Sequence, residues 1–307
     1  MAKQDRRVVF GRINRRQPDQ GVLEMREFSV DMIALAESHK TIHTIRSTGG
    51  RPGRTWVAAD MSVTPDNNFM TGVLGYSEQQ QQVTFDDESF SWMKGEVESS
   101  DSANEQTIVP FAVDLRSDQR WVAFATTSRL QPQSFSTGLE SVFNEAVIAV
   151  GLIPVDWEVD LVTSTSRIME WLRENPRVHK LRRTLKFSNP GKDLDDDRAE
   201  MRALAANRKT EEFKAPRGKT LNIDSQEFES KLEGTETGNL HVILESRGSH
   251  GVRNVKFNSN DTVDNSLVED FGSDLQRGIE IVLAALREYV ASKGDPEQPQ
   301  LAVESTT

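Results

Sequence analysis

Two neighbouring stretches constrain the fold more than any others, "VPFAVDL" (109–115) and "RWVAFATT" (120–127), joined by four polar residues. A strand with one face in water alternates apolar and polar residues, whereas a nearly unbroken apolar run has neighbours above and below it. The pair therefore reads as a hairpin in the interior of a sheet. Pro110 has no N–H to give, so the start of the first arm cannot be paired on both sides.

Much of the rest of the first half carries strand signals of the same kind. "RRVVFGRIN" (6–14), "RTWVAADMSV" (54–63), "FMTGVLGYS" (69–77) and "QQVTF" (81–85) are β-branched or aromatic, and Gly, Pro, Asn and Asp break them. Ser29 is placed to cap a helix over 30–39. The stretch 86–107 holds seven acidic residues against one lysine and reads as a long surface excursion or hinge, with Phe90 and Trp92 docked.

After the hairpin, helices and strands alternate. Residues 134–150 place Leu139, Val142, Phe143, Ala146, Val147 and Val150 at helical spacing, and Gly151 ends the run. A strand over 156–163 sets Trp157, Val159 and Leu161 on one face, with Glu158 and Asp160 on the other. A helix over 166–175 stops at Pro176, and a strand follows over 178–187. Four aspartates open a helix over 193–209, complementing its dipole. "TLNID" (220–224) reads as a strand and 225–234 as a short capped helix. A hairpin spans the loop "RGSHG" (247–251), and a closing helix sets Leu275, Ile279, Val282, Leu286 and Val290 on one stripe.

The pattern is that of an α+β protein. Largely antiparallel sheets carry helices on one face, with a β-rich N-terminal half and an alternating C-terminal half. Residues 1–107 are expected to form a β-rich unit, 108–293 an α+β unit, and 294–307 a disordered tail.

Composition narrows the function classes. The chain has no cysteine, which removes disulfides, thiolate metal sites and cysteine nucleophiles and suits a cytoplasmic protein. No apolar run is long enough to cross a membrane, and the basic N-terminus has no long apolar core after it, so it is not expected to be a secretion signal. The net charge is −11, yet residues 1–16 carry six Lys/Arg against one Asp, and 167–219 carry fifteen against nine Asp/Glu. Such polarisation lets one basic face coexist with an acidic whole.

Within the basic segment, alternation sets Lys180, Arg182 and Lys186 on one face of a strand. Same-face neighbours lie about 6.5 Å apart, a row of positive charge suited to phosphates. Glu158 and Asp160 could pair with that row if their strands were adjacent, but they are outnumbered once Arg173, Arg177 and Arg183 are included. Two glycine-rich turns are also basic. "STGGRPGRTW" (47–56) offers Arg51 and Arg54 with Trp56 at its base, and "RGSHGVR" (247–253) offers Arg247, His250 and Arg253. The first is not a nucleotide loop, because the lysine and spacing of the phosphate-loop motif are missing and a strand follows it.

The expectation is therefore a protein that contacts DNA or RNA through Arg51, Arg54, Lys180, Arg182, Lys186, Arg247 and Arg253. It would belong to a larger assembly, have no catalytic centre or cofactor of its own, and engage a protein partner or its own copies. One alternative is a nuclease holding a divalent metal such as magnesium on Asp114, Glu158, Asp160 or Glu245. Another is an interaction subunit that uses its closing helix, a sheet edge or the apolar residues near 90–93. His39 and His43 lie four apart without the intervening glutamate of zinc-protease helices, and no serine-elbow motif occurs.

Overall fold

The computed structural model describes residues 5–15, 32–33, 45–46, 54–86, 91–99, 107–116, 120–149, 151, 157–186, 195–247 and 254–293. They form two antiparallel sheets and five α-helices, as the α+β pattern requires.

The larger sheet is ordered β13-β1-β7-β6-β4-β3-β2, with β5 added to β4 and β8 added to β1. Its strands are β1 (Arg6–Arg15), β2 (Ile45–Arg46), β3 (Arg54–Val63), β4 (Phe69–Asp86), β5 (Ser91–Ser99), β6 (Ile108–Asp114), β7 (Trp121–Ala125), β8 (Trp157–Leu161) and β13 (Asn265–Val268). β1 organises the sheet. One edge pairs with β7, and the other is shared end to end by β13 and β8. The apolar hairpin is interior, with β6 between β4 and β7. Pro110 pairs with Val73 of β4, while pairing to β7 begins only at Phe111, as a residue without an N–H dictates.

Both faces of these central strands are covered, which accounts for their lack of alternation. Helix α1 (Pro132–Ala149) stacks Phe135 on Phe124 at 3.7 Å and Phe143 against Trp157 at 5.5 Å. On the opposite face α5 (Leu275–Ser292) stacks Tyr289 on Phe10 at 3.9 Å, with Trp121 edge-on at 5.4 Å. Trp121 and Phe124 have opposite parity on β7, so the two helices sandwich it. α1 lies so close to β3 that a Cβ at Gly138 would come within 2.4 Å of the Trp56 ring, so glycine is required there.

The smaller sheet, β10-β9-β11-β12, is built from β9 (Val178–Lys186), β10 (Arg208–Lys214), β11 (Leu240–Ser246) and β12 (Val255–Asn258). Helices α2 (Thr165–Glu174), α3 (Asp195–Ala203) and α4 (Gln226–Leu232) close one face of it. They bring Ile168, Leu172, Met201, Phe228 and Leu232 onto Leu181, Leu185, Val242 and Leu244. Ser225 caps α4 by accepting from Phe228 N.

Several expectations change. The boundary drawn at 107 does not separate the sheets, because β4 on one side of it pairs with β6 on the other. The acidic excursion contains β5, which pairs with the outer half of β4 as a two-stranded ribbon. The helix begun by the aspartates ends at Ala203, and "RKTEEFK" is β10, a strand the alanine-rich run had concealed. Residues 220–224 form no strand, although Leu221 N donates to Val178 O. The helix over 30–39 lies outside the described residues except for 32–33, and the 294–307 tail lies wholly outside them.

Candidate nucleic-acid interface

The pleat of the smaller sheet sorts its residues into two sets. Leu181, Arg183 and Leu185 of β9 face the helices, together with Lys209, Glu211 and Phe213 of β10. Lys180, Arg182, Thr184 and Lys186 face outward beside Arg208, Thr210, Glu212 and Lys214, then His241, Ile243 and Glu245 of β11, and Lys256 and Asn258 of β12. Lys180 to Lys186 spans about 20 Å along the strand. The face is open to solvent: Arg182, Arg208, Thr210, Lys214 and Lys256 are all exposed.

The cations on this face differ in availability. Lys180 donates to Glu245 at 3.2 Å and lies 3.5 Å from Glu212, and these carboxylates hold its ammonium above the usual lysine range. The contact occurs at a β-bulge that sets both His179 and Lys180 against Glu245. Lys214 pairs with Glu212 at 2.6 Å but is 66% exposed. Arg182 and Lys256 have no ion pair among the described residues, so Arg182 is the one base of the expected row left open.

Lys186 serves a different purpose. Its ammonium meets Asp160 and, at 3.1 Å, Glu158, both on β8 of the other sheet, and Arg208 approaches Glu158 at 3.9 Å. The strands are not neighbours in one sheet, so this pairing joins the two sheets rather than two strands. Asn14 Nδ2 donates to Asp160 at 2.8 Å. Gly238, at φ +77°, packs where a Cβ would lie 2.8 Å from the Asp160 Cβ. Burial pushes the Asp160 carboxyl above its usual range, against the pull of Lys186. Burial also pulls Lys186 down, but the two carboxylates outweigh it and the ammonium stays above its ordinary value.

Glu158 and Asp160 are thus buried, not on a solvent face as alternation implied, because β8 is covered on both sides. The other proposed metal ligands stand apart from them. Asp114, at the end of β6, accepts from Arg116 Nε at 3.0 Å and from its terminal nitrogen at 2.7 Å, fastening its own turn. Glu245 belongs to the Lys180 pair on the other sheet. Among the described residues no three His, Asp or Glu side chains converge as a metal site.

Arg183, counted among the excess bases, points to the helix side. It is bound to Glu211, with its guanidinium 5.1 Å from the Phe213 ring. Trp56 is buried against Tyr76 and α1, so it offers no stacking surface beside the basic turn. Arg54 opens β3, Arg247 is half-buried with its N–H on Arg177 O, and Arg51, His250 and Arg253 lie outside the described residues. Arg208, Thr184, Thr210 and His241 were not singled out from the sequence. Alternation in "RKTEEFK" would have found Arg208 and Thr210 had the helix been ended at Ala203.

His241 sits between the cations and gives Nε2 a 2.7 Å contact with Asn258 Oδ1. Burial holds its pKa below the usual histidine value, the Asn258 contact opposes that, and the charges of Lys186 and Arg182 add to it. The imidazole is therefore neutral near pH 7. No helix among the described residues is long and apolar enough to cross a membrane.

Residues 61–264, about two thirds of the chain, match the family described as Domain of unknown function (DUF4747), and the chain belongs to that family. The matched span contains the whole smaller sheet and the Glu158–Asp160–Lys186 cluster. No curated protein and no solved structure matches the chain.

Proposed function

We propose that this protein binds the phosphate backbone of nucleic acid on the open face of its smaller sheet, as a non-catalytic component of a larger assembly. The observation that carries the reading is the set of exposed cations on that face, Arg182, Arg208, Lys214 and Lys256, around a polar centre. Each phosphate neutralised by such a cation releases counterions, so affinity must fall steeply with salt. The net charge of −11 keeps attraction local to this face and leaves an acidic remainder for a protein partner. Fluorescence anisotropy with labelled single- and double-stranded DNA and RNA, at low and high salt, tests the reading. Salt-sensitive binding is expected, and absence of binding at low salt contradicts it.

A second reading, metal-dependent cleavage, is favoured by the meeting of Glu158, Asp160 and Lys186, two carboxylates and a lysine. It is the weaker because the ammonium already sits between the carboxylates, where a divalent ion would have to enter. Shortening of the same probes when magnesium is added would establish it.

A further inference from the structure

The open face carries a second pattern, at right angles to the row along β9. Thr210, Thr184 and His241 stand in register across three strands, and His241 continues the line to Asn258 on the fourth. The two hydroxyls are 3.3 Å apart and either can donate. This is an uncharged band of groups that both donate and accept, and it crosses the middle of the sheet.

Cations flank the band on both sides. Arg182 is two residues from Thr184 in one direction along β9, and Arg208 is two residues from Thr210 in the other, level with Lys186. Four residues of strand separate the two levels, about 13–14 Å. Glu212 lies opposite Arg182, but Lys214 and Lys180 hold it. No Phe, Tyr or Trp stands among the described residues of this face.

These features select among nucleic acids. Single strands are gripped by stacking bases on aromatic rings, which this face does not offer. Duplex DNA is read through base edges by an element that enters its major groove, and a flat sheet face presents no such projection. Duplex RNA instead offers a wide, shallow minor groove that displays 2′-hydroxyls between two lines of phosphates, read by shape and by hydroxyl contacts. A hydroxyl-bearing band between two cationic levels complements that surface.

Resting on the phosphate-binding reading above, we infer that the ligand of this face is double-stranded RNA. It lies with its minor groove over Thr184, Thr210 and His241, with its phosphates on Arg182 and Arg208. The imidazole and the threonine hydroxyls meet the 2′-hydroxyls, which DNA lacks.

The test is a comparison of labelled RNA and DNA duplexes of one sequence, roughly 20 base pairs long, with the corresponding single strands, on the full chain. The wild-type protein should bind duplex RNA at least about fivefold more tightly than duplex DNA, the worth of one or two net hydrogen bonds. Thr184→Val with Thr210→Val, near-isosteric changes whose folding is checked by thermal melting, should bring RNA affinity down to the DNA level. Equal, salt-sensitive binding of both duplexes overturns this inference and leaves the phosphate-binding reading intact. Tighter binding of single strands, or an RNA preference that survives in the folded double variant, also overturns it. No binding of any polymer overturns both.

Discussion

The larger and smaller sheets bury their strands in different ways. In the larger one, β6 and β7 are covered by α1 on one side and α5 on the other, and every described residue from Val109 to Leu115 is buried. In the smaller one, helices close one face of β9 while Arg182 on the other is exposed. A strand sealed on both faces has nothing left to offer a ligand, so its residues answer to packing alone. A strand sealed on one face has its other side free to serve as a surface. The contrast assigns stability to the first sheet and leaves the open face of the second to the binding proposed for it.

The sharpest way to break this contrast is to truncate one residue of each kind. Phe124→Ala removes a fully buried ring stacked on Phe135 and should cost about 3–5 kcal/mol in urea unfolding. Arg182→Ala should leave stability within about 0.5 kcal/mol. Equal losses would mean that the outer face of β9 is structural after all.

Next in size is the joint between the sheets. Lys186→Met removes the ammonium that meets both Glu158 and Asp160, and should destabilise the protein on the order of 3 kcal/mol. Adding Asp160→Asn should recover part of the loss, since one buried charge is then removed. If Lys186→Met is silent in unfolding but abolishes nucleic-acid binding, Lys186 is a ligand contact rather than a joint.

Acid should separate the sheets by stability. Burial raises the carboxyls of Asp197 and Glu211, but hydrogen bonds and charge outweigh it and hold both below the ordinary range. Lys209 and Lys231 act on Asp197, and Arg183 and Lys209 act on Glu211. Depressed carboxyls contribute stability that is present above their unfolded values, about pH 4, and is lost as pH falls through the lowered folded ones. Hydrogen exchange followed between about pH 6 and pH 3 should therefore show β9 and β10 losing protection before β6 and β7. The reverse order would contradict this assignment of charge to the smaller sheet.

The smallest expected effect concerns His241. Its folded pKa is depressed, so protonation is unfavourable in the free protein, and a bound polyanion offsets the repulsion from Lys186 and Arg182. Affinity should rise a few-fold as pH falls from about 7.5 to about 5.5, and His241→Gln should flatten the profile. A flat wild-type profile would place the polyanion away from the imidazole.

How much of this was legible in the chain follows from the same contrast. The apolar hairpin, the helix capped by Ser225 and the alternation on β9 were readable because local pattern and tertiary environment agree there. β10 was missed because alanine-rich helix propensity ran into a charged edge strand whose burial alternates only weakly. The burial of Glu158 and Asp160 could not be read, since alternation cannot tell a polar face in water from one facing a half-buried lysine on another sheet. The availability of Arg182 and the engagement of Lys186, Lys180 and Arg183 likewise depend on which acids the fold brings near. Thr184, Thr210 and His241 carry no motif, and only register across three strands makes them a band.

The most direct test of the account is the salt dependence of RNA-duplex binding by the wild-type protein and by Arg182→Ala with Arg208→Ala. Each phosphate contact contributes about one unit to the slope of log affinity against log salt. The double variant should bind more weakly and lose about two units of slope, with unfolding changed by no more than about 1 kcal/mol. An unaltered slope in a well-folded double variant would place the phosphates elsewhere and contradict the assignment of binding to the open face of the smaller sheet.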